Sequence, residues 1–220
     1  MSKRRARSRG IRHPARNAVV FALAALAGIA LVWVGVVDMR ETGRTGSPWL
    51  ALGLLPALLC PIAMVHYLKH IRVFRDLRSG RSAIARWTVP ADEFDRFREE
   101  QQRIPAASIL ANFYRPPAKT PAGGVEVIFS ESGVLVGDGY FPLSTLDGRR
   151  LQSVRYVASD PPSIEFGTVL DTLVQTSSVT TGSVRTGGTL RVPVARDARQ
   201  QAGVVVDRYQ SLSGTAGSRR

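Results

Sequence analysis

Ala18-Val-Val-Phe-Ala-Leu-Ala-Ala-Leu-Ala-Gly-Ile-Ala-Leu-Val-Trp-Val-Gly-Val-Val37 is a run of twenty residues without a charged side chain. At helical rise such a run spans about 30 Å, the thickness of a bilayer's hydrocarbon core. A second run of equal length, Trp49 to Leu68, carries one ionisable group, His66, near its end. Backbone amides cannot face lipid unpaired, so helices are expected over 18–37 and 49–68. The eleven residues from Asp38 to Pro48 include Gly43, Gly46 and Pro48 and suffice only for an antiparallel turn. Residues 18–68 therefore read as a transmembrane helical hairpin. A cleaved signal peptide would share the basic start, but this apolar core is too long and no Ala-x-Ala-like site follows it.

Charge gives the hairpin a direction. Residues 1–17 carry seven Lys or Arg and no acid, and residues 69–86 carry six against Asp76 alone. In the loop, Arg40 and Arg44 are balanced by Asp38 and Glu41. Basic flanks stay on the cytoplasmic side, which predicts a multi-pass inner-membrane protein with both termini in the cytosol. Trp33, Trp49 and Tyr67 lie near the ends of the runs, where amphipathic rings prefer the interface. Ala24/Gly28 and Gly53/Ala57 are small-xxx-small pairs, expected to pack helices closely within the hairpin or between copies in a homo-oligomer. Pro56 and Pro61 predict kinks in the second helix.

The net charge of +13 invites a nucleic-acid reading, but its distribution removes that reading. From Trp87 to Arg220 there are fifteen basic and fourteen acidic residues, so the part beyond the hairpin is almost neutral. The excess sits beside the membrane, where anionic lipid headgroups are the natural counter-charge. Cys60, the only cysteine, lies among apolar neighbours, makes no intrachain disulfide and reads as an inert thiol. Arg outnumbers Lys twenty-seven to three, a bias associated with GC-rich bacterial genomes.

Residues 1–17 have no apolar face and read as a disordered basic arm. Residues 69–82 read as a basic juxtamembrane helix, with Lys69, Arg72, Arg75 and Arg78 recurring every third residue as candidate lipid-headgroup contacts and Gly80 as its stop. Residues 83–212 form the expected cytosolic α+β domain. Its elements are a strand at 83–89, a helix at 91–102, and a long Pro- and Gly-rich connection over 103–124, with an ordered piece at 109–114. Strands follow at 125–129, 134–136, 140–143, 151–158, 164–169, 172–177 and 188–194, with 178–187 as a mobile polar tip. The last helix, over 196–212, places Ala198, Ala202, Val205, Val206 and Tyr209 on one face to close over the sheet. Residues 213–220 read as a disordered tail.

This order of elements, with Leu190-Arg-Val-Pro-Val194 running into the last helix, resembles a pleckstrin-homology-like domain: an antiparallel sheet of about seven strands closed by a C-terminal helix. With two membrane helices ahead of it, the chain resembles a recurring type of bacterial membrane protein of undefined function. Members of the pleckstrin class that bind phosphoinositides use Lys and Arg in the first hairpin loop; here that loop, Ser130-Glu-Ser-Gly133, has no base.

The chemistry expected of the chain is sparse. His66 and His70 share a helical face at metal-pair spacing, but no third ligand accompanies them, and no metal or cofactor site is expected. The domain beyond the hairpin has no histidine to serve as base for a nucleophile, and neither phosphate-loop fingerprint occurs, so no catalytic residue is expected. The reading is a membrane protein displaying a non-catalytic interaction or regulatory domain to an unidentified protein partner. The alternatives are an anionic-lipid sensor working through Lys69, Arg72, Arg75 and Arg78, and an enzyme with an unrecognised site.

Overall fold

The structure is a computed structural model that describes residues 10–43, 45–104, 112, 114–143, 149–176 and 180–217. The chain divides into two compact units, His13–Asp76 and a second made of the segment before His13 together with Leu77–Arg220.

The first unit is a pair of long helices, α1 (Pro14–Thr42) and α2 (Pro48–Arg78), both long and apolar enough to cross a bilayer. Both outrun the apolar runs that define them. Pro14 sits in the first turn of α1, where its missing N–H costs nothing. The polar stretch 38–42 stays helical, with the Thr42 hydroxyl donating to the Asp38 carbonyl at 2.6 Å. The helix stops at Gly43, whose φ of 66° is open to glycine at little cost. The turn between the helices is therefore shorter than the sequence suggests, and α2 runs on without interruption through Pro56 and Pro61.

The helices meet along a seam whose α1 side is spaced seven, three and seven residues apart: Ala18, Ala25, Gly28 and Gly35 are the buried residues of α1 beyond its first turn. A Cβ on Gly28 would stand 2.6 Å from the Ala57 amide nitrogen, and one on Gly53 would stand 2.6 Å from the Gly28 carbonyl oxygen. Only glycine at both positions lets the backbones approach this closely. Ala24 and Ala57 are half-buried beside this contact, and Phe21 stacks on Tyr67 with ring centroids 5.5 Å apart. The remaining surface is apolar and uncovered, as at Leu26 (63 % exposed), Trp33 (69 %) and Ile62 (69 %). An apolar sleeve of this extent is compatible with a lipid surround and unlike a water-soluble surface.

The second unit contains seven strands in two antiparallel sheets, not one sheet of about seven. β1 (Ala85–Val89), β2 (Val125–Ser130), β3 (Gly133–Val136) and β4 (Gly139–Pro142) pair in sequence order. β5 (Arg149–Val157), β6 (Ser163–Thr176) and β7 (Thr180–Pro193) form the other sheet. Ile11, from the segment before α1, exchanges both backbone hydrogen bonds with Tyr140 at 2.9 and 3.1 Å, an isolated bridge on the outer edge of β4. Ile11 falls within the arm expected to be disordered; residues 1–9 lie outside the described residues.

Two further expectations change. The pieces expected at 164–169 and 172–177 are joined in the single strand β6 as far as Thr176, and residues 177–179 lie outside the described residues. Residues 180–187 of the expected polar tip belong to β7, paired in unbroken register from Ser163/Pro193 to Thr176/Thr180. Thr and Gly in this hairpin satisfy their backbone in the ladder, which composition alone does not reveal. The end of the chain also differs: a 3-10 turn (Arg196–Ala198) leads into α4 (Arg199–Gly217), which continues past residue 212.

Both sheets, α3 (Ala91–Arg103) and α4 share one core. Trp87 and Phe129 of the first sheet meet Phe166 of the second, with Phe94 and Phe97 of α3 alongside. Ala198, Ala202, Val205, Val206 and Tyr209, the expected inner face of the last helix, are all buried here. The Trp87 indole donates to the Pro193 carbonyl at 3.2 Å, tying β1 to β7. The Tyr209 hydroxyl donates to the Ser130 and Gly133 carbonyls, tying α4 to the β2–β3 turn.

Candidate functional site

Three places in the structure collect chemistry: the basic end of α2, a cleft beside β5, and a polar network around Arg191. Lys69, Arg72 and Arg75 are exposed on consecutive turns of α2, while Ile71, Phe74 and Leu77 form a covered stripe. Arg78, the fourth of the expected lipid contacts, is engaged within the second unit. Its guanidinium pairs with Asp138 at 3.2 Å, and its carbonyl accepts from Arg86. His66 and His70 bring their Nε2 atoms to 3.3 Å, with ring centroids 4.6 Å apart. Among the described residues no group of three His, Cys, Asp or Glu assembles at metal-binding distance. Cys60 is half-buried and forms no disulfide.

β5 is an outer strand of its sheet. Because the Gln210 amide donates to the Val154 carbonyl at 3.2 Å, that carbonyl points away from β6. Backbone direction alternates along an antiparallel strand, so the amide and carbonyl of Tyr156 also face outward. Beside them runs α4, and between strand and helix lies a cleft of about 500 Å³ lined by Tyr156, Ala158, Pro162, Gly203 and Val206, with Arg199 and Asp207 at its rim. Gly203 lies inside the helix, where glycine costs about 1 kcal/mol relative to alanine. A Cβ there would meet nothing within 4 Å, so the absence of a side chain serves the cleft and not the packing.

Arg191 of β7 is 7 % exposed and fully engaged. It donates to Ser163 and Ser159 hydroxyls at 2.7 Å each and to Glu100 of α3 at 2.9 Å. Its backbone exchanges two bonds with the Asn112 carboxamide, at 2.7 and 2.9 Å, so Asn112 acts as a one-residue extension of the sheet. These partners lie far apart in sequence, and no local spacing announces them. Nearby, Arg196 donates to Asp160 at 2.9 Å, and this bond holds the Asp160 carboxyl below its ordinary range, with Arg96 adding a smaller pull. Burial pushes the Tyr209 and Tyr114 phenols up, Arg12 partly opposing the shift at Tyr114.

None of these arrangements pairs a nucleophile with a base among the described residues. Compared with known proteins, the chain matches no family, no curated protein and no solved structure.

Proposed function

We propose that this chain is a bacterial inner-membrane protein, anchored by a two-helix hairpin, that displays a non-catalytic, pleckstrin-homology-like interaction domain in the cytosol. The observation that carries the reading is the cleft between β5 and α4. An outer strand with outward-facing amide and carbonyl groups takes up an extended peptide by adding it to the sheet, and an adjacent apolar hollow receives its side chains. Seven antiparallel strands followed by a closing helix support the pleckstrin-like class. A hairpin whose two ends both continue into the second unit supports placing arm and domain on one side of the membrane.

A photo-crosslinking residue replacing Tyr156 in the full-length protein, in native membranes, tests the reading. The expected result is an adduct to an extended segment of one partner, lost when Gly203→Trp fills the cleft. Labelling that ignores Gly203→Trp, together with a hydrolytic or transferase activity of the purified protein, would overturn it.

A second reading rests on the exposed basic turns of α2: anionic-lipid sensing through Lys69, Arg72 and Arg75, with Arg78 contributing only when released from Asp138. It predicts enrichment of anionic lipid around the full-length protein, reversed by salt and by neutralising the first three residues.

A further inference from the structure

Between the last turns of α3 and the stretch formed by Asn112 and residues 114–118 lies a second cavity, of about 300 Å³. Gln101 lines it, 5 % exposed, with carboxamide Nε2 and Oε1 both buried and without a hydrogen-bond partner. Folds rarely leave both ends of an amide unpaired away from water, because its lost hydration is then uncompensated. The neighbours do not supply the missing bonds. The Asn112 carboxamide is committed to the Arg191 backbone and the Tyr114 amide. Arg98 is committed to Asp95, the Ala118 carbonyl and the Thr120 hydroxyl. Those same bonds hold both ends of the stretch, so the cavity is built before anything enters it. Pro116 and Pro117 form a stiff wall, and exposed Arg115 places a cation on the same cavity.

We propose that this cavity binds a small anion with a flat donor–acceptor edge, the edge pairing with Gln101 and the negative group with Arg115. A carboxamide offers one donor face and one acceptor, and pairs two-fold with an adenine edge or with a cis amide such as a lactam, whose N–H and C=O share one side. A guanidinium matches phosphate or carboxylate equally. The volume is at the small end of ligand pockets, suited to a mononucleotide or a lactam carboxylate and too small for a polymer. Because the site stands apart from the β5–α4 cleft, its occupancy would tune the domain independently of the partner bound there.

The test uses the full-length protein in nanodiscs of uncharged lipid, titrated with adenosine monophosphate, pyroglutamate and inorganic phosphate. The expected result is binding of one of the first two, with a rise in melting temperature, and the one that binds identifies the source of the edge. Gln101→Met and Arg115→Gln should each weaken that binding tenfold or more. Unliganded Gln101→Met should melt higher than the parent, since the unpaired amide is gone. That combination, higher stability with lost binding, is not produced by a merely structural glutamine. Binding of neither organic anion at millimolar concentration, or binding unchanged in both variants, would overturn the proposal. So would inorganic phosphate binding as tightly as either organic anion.

Discussion

Tyr209 shows how much rests on one hydroxyl. It is buried against Phe166, and its O–H serves the Ser130 and Gly133 carbonyls at the β2–β3 turn. Tyr209→Phe should cost about 1–3 kcal/mol in denaturant unfolding, because the Ser130 carbonyl loses its side-chain donor away from water, whereas the Gly133 carbonyl keeps the Ser130 hydroxyl. The phenol is held above its ordinary pKa of 10.0 in the folded state, mainly by burial. Its contribution is thus complete below that value and is lost as pH rises from there toward the higher folded one. The parent's stability should therefore fall on the alkaline side more steeply than the variant's. Asp160 has the opposite sign. Its carboxyl lies below its ordinary 3.8, mainly through the Arg196 hydrogen bond, so its contribution is present above that pH and lost as pH falls through the lower folded value. Asp160→Asn should flatten the acid limb of a stability–pH curve. Arg191→Ala should cost roughly 3 kcal/mol by leaving Glu100 without its cation, read in the same unfolding experiment. The buried face of α4 could be read from sequence because its period is local. Arg191, Asn112 and Gln101 could not, since each acquires its meaning from residues most of a domain away.

At the scale of elements, the hairpin's glycines and the helix glycine make opposite predictions. Gly28→Leu forces atoms onto the Ala57 backbone, so it should part the two helices and lower the hairpin's thermal stability, followed by Trp33 and Trp49 fluorescence. Gly203→Ala meets open space and should stabilise the domain by about 0.5–1 kcal/mol, measured by urea unfolding. Apolar runs and period-two alternation suffice to expect α1, α2, α3 and most strands. Helix ends are less legible, because the stretch 38–42 continues helical on hydrogen bonding alone until Gly43 ends it. The polar half of β7 escapes as well: its Thr, Ser and Gly residues carry no alternating apolar pattern, yet the backbone pairs with β6 in register.

For the whole molecule, most strands could be placed from sequence, but the joining of two expected pieces into β6 and the division into two sheets could not. Nor could the pairing of Ile11 with Tyr140 on the β4 edge, which has no local signature. Under the membrane reading, the same pairing places the segment before α1 and the domain after α2 on one face of the bilayer. Cysteine labelling in intact cells tests this: Thr45→Cys should react with an impermeant thiol reagent, and Gln201→Cys should react only after permeabilisation. Equal protection of both would exclude the hairpin topology. The Ile11–Tyr140 pair also orders events during biosynthesis. Ile11 leaves the ribosome before either helix, and Tyr140 only after both. Under the membrane reading, the bridge that caps β4 therefore closes only after both helices have been made. A chain whose second helix fails to cross would strand Tyr140 on the far face and leave the β4 edge open to foreign strands. Under the membrane reading, that backbone pair thus forms only in chains whose two helices have both crossed.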